Sequence, residues 1–198
     1  MRRAKPYHHG NLREALLEAA IRLIAEVGPT GFTLREVARR AGVSHNAPYR
    51  HFRDRDDLMA AVAAQGFREL NRAMMEAAVP KSDALERLKH AGLAYVTFAL
   101  RRPEHFTVMF DAPVSKRKHP DSVAAGEQAF ATLTGFVKAC QGARRLPSGD
   151  LRQMALLAWT MVHGIAKLAI AGRLPFHSNA EVLKFGEFVI TQSLPVSG

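Results

Sequence analysis

The stretch Thr33–Leu58, TLREVARRAGVSHNAPYRHFRDRDDL, decides the fold. Thr33 can cap a helix whose Glu36 reaches back to the Thr33 N–H, and Phe32 and Val37 sit where an apolar staple closes over that start. Leu34, Val37, Ala38 and Ala41 then share one helical face, with Arg35, Arg39 and Arg40 largely outside it. Gly42 supplies the positive φ that ends the helix, Val43 anchors the turn, and Ser44 can cap a second helix predicted from His45 to about Phe52. Two helices joined by a short glycine-containing turn form a helix-turn-helix, the geometry that sets the second helix in a DNA major groove. Asp54 opens a further helix, with Asp56 and Asp57 at the positive end of its dipole. Pro48 interrupts the second helix, because it removes an intrahelical hydrogen bond and restrains Ala47. Either that helix starts late or with a distorted first turn, or Pro48 packs beside Val43 and the remainder is regular.

Outward from this stretch, charge points the same way. The chain of 198 residues carries a formal +10. Residues 1–53 hold ten Lys and Arg against four Glu, a net +6, so more than half the excess lies in about a quarter of the chain. Such a distribution suits a polyanionic partner. Met1–Pro6 reads as a basic arm without periodicity, able to add phosphate attraction or to enter a minor groove. His8 and His9 are adjacent and lack an i, i+4 partner, a CxxC or an HExxH, so no metal site is expected. The lone Cys140 excludes an intramolecular disulfide. The most apolar stretch, Met154–Ala171, is broken by His163, Gly164 and Lys167, so no membrane partner is expected and the chain reads as cytoplasmic.

The remainder is helical throughout, with no alternation long enough for a sheet. Asn11 with Glu14 opens the first helix, whose face is Leu12, Leu16, Ala19, Leu23 and Val27 and which Gly28 and Pro29 stop. The helix opened by Asp54 runs on through Leu58, Val62, Leu70 and Met74 towards Val79. Further helices are predicted over Ser82 to about Arg102, Pro103–Phe110, Asp121–Gln141, Asp150–Ala171 and Ser178 to about Leu194, the last opened by a Ser178 and Glu181 box. Ala112–Pro120, APVSKRKHP, reads as a solvated basic connection. The fold class is therefore all-α: a three-helix head over residues 1–58 and a larger helical domain over 59–198.

The combination Thr33, Val37-Ala38, Ala41-Gly42-Val43-Ser44, Tyr49, His51-Phe52 and Leu58 resembles the N-terminal signature of the TetR family of bacterial transcriptional repressors. Pro48 departs from it, standing where the family has an apolar helix former. Trp159, His163, Gly164 and Gly172-Arg173-Leu174, with YHHGNLR near the start and RPEHF near the middle, resemble the C-terminal subtype named for its Trp, His and Gly. The resemblance implies a homodimeric repressor that binds a double-stranded, near-palindromic operator and is released by a small-molecule effector of unknown identity. It implies that the last two helices form a four-helix dimer interface, here with apolar faces Leu157, Trp159, Ile165, Leu168 and Val182, Phe185, Phe188, Val189. By the same resemblance Arg35, His45, Asn46 and Tyr49 reach bases, Arg50, His51 and Arg55 reach phosphates, and the two caps Thr33 and Ser44 complete the DNA-facing set. The chemistry agrees in part, since Arg reads guanine and Asn reads adenine bidentately.

For the effector pocket the sequence offers Tyr95, Phe98, Phe106, Met109, Phe110, Phe130, Trp159 and His163, each equally readable as plain core. No cofactor is implied. An enzyme built on His163 and Cys140 is the weaker reading, because Cys140 shares a face with Phe136 and Val137 as a small apolar residue does. The alternative is a ligand-independent architectural DNA binder, which needs no enclosed cavity and leaves no palindromic footprint.

Overall fold

The computed structural model describes residues 12–79, 83–111 and 119–194, and among these described residues there are eight α-helices. The basic arm, Asn11, Ser82 and most of the 112–120 connection lie outside the described residues. Among those described there is no strand.

The head forms from local rules. α1 (Leu12–Val27) ends at Gly28, whose φ of 77° is left-handed. Val27, placed on its inner face by the periodicity, is instead 51% exposed in the last turn. α2 (Leu34–Ala41) has both halves of the expected capping box between Thr33 and Glu36, and Gly42 caps its far end at φ 70°. Phe32 and Val37 are buried, as a staple requires.

The second helix of the motif differs from expectation. Residues 45–47 form a turn, and only Pro48–Arg50 is helical, as a 3-10 segment with no side-chain cap from Ser44. Pro48 has no N–H to return to Ser44, so the ladder tightens to i to i+3 bonds: Ala47 N to Ser44 O at 2.9 Å, Arg50 N to Ala47 O at 3.3 Å and His51 N to Pro48 O at 2.9 Å. Ala47 still adopts helical angles, φ −60° and ψ −41°. Pro48 is fully buried and Val43 packs on the head core, so both act as anchors for a short, tight turn.

α3 (Arg55–Ala78), capped by Asp54, is 24 residues long and spans about 36 Å. Its Leu58, Met59, Val62 and Ala63 close the head core with Leu16, Leu23, Val37 and Phe52. Its Leu70 and Met74 belong to the second core. α4 (Ala84–Arg101) starts on Asp83, whose carboxylate accepts from Leu85 N and Glu86 N. α5 (Pro103–Asp111) inserts Val108 into the head core and Phe106 into the body core. α6 (Pro120–Gly142) begins on Pro120 itself, and His119, assigned by sequence to a solvated connection, is buried as its cap residue. α7 (Leu151–Ile170) follows Asp150, and α8 (Asn179–Ser193) has the Ser178 and Glu181 box.

α3 packs on α4, α5 and α6, and α4 on α7 and α8. By length and composition α7 could cross a membrane. In this bundle it instead buries Ala155, Ala158, Val162, Ile165 and Ala166.

Candidate DNA-facing turn and ligand cavity

The exposed side of the head gathers most of the sequence-derived DNA set. Thr33, Arg35, Ser44, His45, Asn46, Tyr49, Arg50 and His51 are all exposed. Tyr49, at 52% exposure, is not held between helices. The basic residues around it divide by partner. Arg40 makes a bidentate pair with Glu26 at 2.5 Å, which lowers the Glu26 carboxyl below its usual range. Arg53 binds Asp57 through its backbone N–H and its guanidinium. Arg55 is half-buried and donates from Nη1 to the Thr30 carbonyl at 2.9 Å, tying α3 to the α1–α2 connection. Arg13 lies 5.8 Å over the Phe52 ring, holding α1 against the end of the turn. These ties position the turn while Tyr49, Arg50 and His51 project from it.

In the body, α3, α4, α5, α6 and α7 enclose a half-open cavity of about 1000 Å³. Of the eight residues proposed from sequence, Tyr95, Met109, Phe110, Phe130 and Trp159 line it. Phe106 and His163 stand one layer behind: the His163 ring centroid lies 5.4 Å from that of Phe106 and 4.6 Å from that of Phe110. Phe98 is not brought to the cavity and is buried in the core.

The aromatic wall is fixed by a defined hydrogen-bond chain. Trp159 Nε1 donates to Tyr95 Oη at 3.2 Å, and Tyr95 Oη lies 2.8 Å from His163 Nδ1. An indole N–H can only donate, which leaves the tyrosine proton available for Nδ1, and in that arrangement the histidine carries its own proton on Nε2. Burial, assisted by Lys167, lowers the His163 pKa, and burial pushes the Tyr95 phenol up, so both stay neutral and the chain persists. Lys167 Nζ also holds both oxygens of Asp111 at 2.6 Å, closing α5 against α7.

Sequence reasoning missed the opposite wall. Ser122, Gly126, Ala129 and Leu133 of α6 face α3 at helical spacing, and Phe67 projects across from α3. The small side chains leave the space open; a Cβ on Gly126 would meet the Phe67 ring at 3.4 Å. His119, Glu127, Thr134 and Arg152 add polar groups to the lining. Cys140 donates its thiol to the Ala84 carbonyl at 3.2 Å, and burial pushes its pKa up to about 11, away from thiolate chemistry.

Comparison with known proteins places this architecture. Residues 16–62 match the family described as bacterial regulatory proteins, tetR family, and residues 88–191 match the tetracyclin repressor-like C-terminal domain. The HTH-type transcriptional repressor Rv3405c of Mycobacterium tuberculosis is 35% identical over 86 residues, 43% of this chain and 45% of that protein. The matched part thus spans less than half the length of such curated relatives. A protein of unknown function from Rhodococcus sp. RHA1 is 35% identical over 96% of this chain and 99% of its own, with a TM-score of 0.80. AibR, solved with isovaleryl coenzyme A and operator DNA, shares the fold at a TM-score of 0.73 and 17% identity, covering 93% of this chain and 99% of its own. With a helix-turn-helix head and a ligand-sized cavity joined by one helix, the chain belongs to the TetR family of DNA-binding transcriptional regulators.

Proposed function

We propose that this protein is a cytoplasmic homodimeric repressor whose hold on a near-palindromic operator is released when a small molecule fills the cavity. Residues 1–58 serve as the DNA-binding domain and 59–198 as the ligand-binding and dimerisation domain. The observation that carries the reading is the double membership of α3: Leu58, Met59, Val62 and Ala63 belong to the head core, and Ala63, Phe67, Leu70 and Met74 line the cavity. A ligand that moves α3 therefore moves the DNA-reading turn. That AibR was solved with both a ligand and operator DNA supports pairing these two activities on this fold.

Arg35, His45, Asn46 and Tyr49 read bases in this account, with Thr33 and Ser44 beside them, and Arg50, His51 and Arg55 hold phosphates. Dimerisation uses α7 and α8. Leu157, Gly164 and Leu168 fall within roughly 40° of one line down α7. Leu157 and Leu168 are each 47% exposed, Phe188 on α8 is 60% exposed, and a Cβ on Gly164 would meet nothing within 4 Å. The apolar faces expected from sequence are narrowed accordingly: Ile165 and Val182 point inward and Trp159 belongs to the cavity. Trp159, His163 and Gly164 together support assignment to the Trp-His-Gly subtype. The test is binding to the DNA flanking the protein's own gene, measured by gel shift with and without a panel of apolar metabolites. Release by at least one of them is expected. Binding that no member of the panel weakens, with the cavity shown to be filled, would refute the release step.

A further inference from the structure

We propose that His119 is the residue through which an occupant of the cavity is sensed, and that Asp57 and Arg53 pass its displacement to the DNA-facing turn. This inference deepens the ligand-release reading and rests on it.

His119 lines the cavity, yet the residue is only 6% exposed. Its Nδ1 lies 3.4 Å from Asp57 Oδ1 in the first turn of α3, and its Nε2 is buried without a hydrogen-bond partner. Asp57 is engaged from the head: its Oδ2 accepts from Arg53 N and Arg53 Nε, both at 3.1 Å, and its Oδ1 from Arg53 Nη2 at 3.3 Å. Those bonds hold the Asp57 carboxyl below its usual range. Arg53 follows Phe52, whose N–H donates to the Pro48 carbonyl at 2.9 Å and closes the turn that carries Tyr49 and Arg50. Two side-chain contacts thus separate the cavity wall from the turn.

The two ends of the imidazole are unequal. A buried ring nitrogen without a partner forgoes a hydrogen bond, so the ring gains by turning Nε2 out to a ligand that supplies one. The Nδ1 contact, at 3.4 Å, lies beyond the usual 2.7–3.2 Å of a hydrogen bond, so little holds the ring against a better partner. In the tautomer that carries its proton on Nδ1, beside the Asp57 carboxylate, the ring presents a lone pair at Nε2, which takes an O–H donor. The ligand class is therefore a mainly apolar molecule whose body lies on Phe67, Phe110 and Trp159 and which ends in a hydroxyl. Drawing the ring towards that hydroxyl removes one of the two contacts on Asp57 Oδ1 and frees the carboxylate to reorient together with Arg53.

The full-length protein offers separate readouts for the two events. Trp159 is the only tryptophan in the chain and lines the cavity, so its fluorescence reports occupancy. Anisotropy of labelled DNA flanking the protein's own gene reports operator affinity. 1-Decanol is expected to change Trp159 emission and to weaken DNA binding about tenfold, within the usual range of allosteric coupling. Decyl methyl ether has the same body without the O–H and is expected to change the emission while leaving DNA affinity within about twofold. His119→Asn keeps an N–H for Asp57 and lacks Nε2, so it is expected to bind 1-decanol, by Trp159 emission, yet hold DNA within about twofold of its unliganded affinity. Asp57→Asn approaches from the other side: it weakens the Arg53 bonds, so it is expected to lower DNA affinity without ligand, and 1-decanol should then change that affinity by no more than about twofold. If both variants release DNA as the wild type does, the relay is overturned and ligand release stands. If the wild type fills its cavity and keeps its DNA with both probes, release by an occupant fails and the relay falls with it. No emission change with 1-decanol would overturn the ligand class and this assignment of His119.

Discussion

Replacing Gly164 by Leu separates the protomer from the dimer, because the two respond with opposite sign. Within one protomer an added Cβ meets nothing within 4 Å, and Leu is favoured over Gly in a helix by up to about 1 kcal/mol. The isolated fold should therefore be unharmed or slightly stabilised. In the proposed two-fold interface the same position lies between Leu157 and Leu168, where an inserted side chain would overpack a close contact at about 1–3 kcal/mol. Two-fold symmetry places the substitution twice, giving about 2–6 kcal/mol against association. At about 1.4 kcal/mol per decade, the dimer dissociation constant should rise by about 30-fold to about 20,000-fold. Sedimentation velocity over a concentration series measures that constant, and urea unfolding at a concentration where the variant is monomeric measures the fold. An unchanged dimer constant would refute the assigned interface. A protomer weakened by more than about 1 kcal/mol would show that Gly164 packs inside its own chain.

Three further outcomes follow from named contacts. His105 is 1% exposed with neither ring nitrogen bonded, and burial lowers its pKa, so the unfolded state takes up a proton that the folded state refuses. Stability is then fully present above the unfolded value near 6.5 and falls as pH drops below it, by at most about 1.4 kcal/mol per pH unit from this group. His105→Leu should flatten the melting temperature between pH 6.5 and 5, and an unaltered pH slope would contradict the buried neutral ring. Tyr95→Phe strands Trp159 Nε1 and His163 Nδ1 and should cost about 1–3 kcal/mol in urea unfolding; a neutral effect would deny the hydrogen-bond chain its role. Arg35→Ala should cost about 1–3 kcal/mol on the cognate site and relax one base pair per half-site, whereas Arg50→Ala should weaken all DNA and reduce the salt slope by about one. Binding selections that reversed these two patterns would mean the head docks differently.

What the sequence made legible is what neighbouring residues decide. Thr33 with Glu36, Ser178 with Glu181, and the left-handed Gly42 and Gly172 lie where short-range rules put them, since each satisfies backbone groups within one turn. Pro48 was legible as a disturbance but not in its outcome, because whether a ladder shortens to 3-10 bonds depends on the burial of Pro48 against the rest of the head. The cavity was half legible. Its aromatic wall stands out by residue type, but the α6 wall is made of small residues whose contribution is space. His119 was hidden for a related reason: in a basic, proline-flanked stretch it looks solvated, and only the fold brings Asp57 to it. Apolar residues on both sides of α7 concealed which were left outside the protomer core, and Ile165 went inward while Leu168 stayed out.

Hydroxyl-radical footprinting on the DNA flanking the protein's own gene tests the central claim most directly, because it reads the head, the dimer and the effector together. Two protected half-sites on one face of the duplex, about 34–36 Å apart or a multiple of that spacing, are expected, and both should fade together when a cavity-filling ligand is added. Continuous protection without two-fold phasing, indifferent to a filled cavity, would contradict the account.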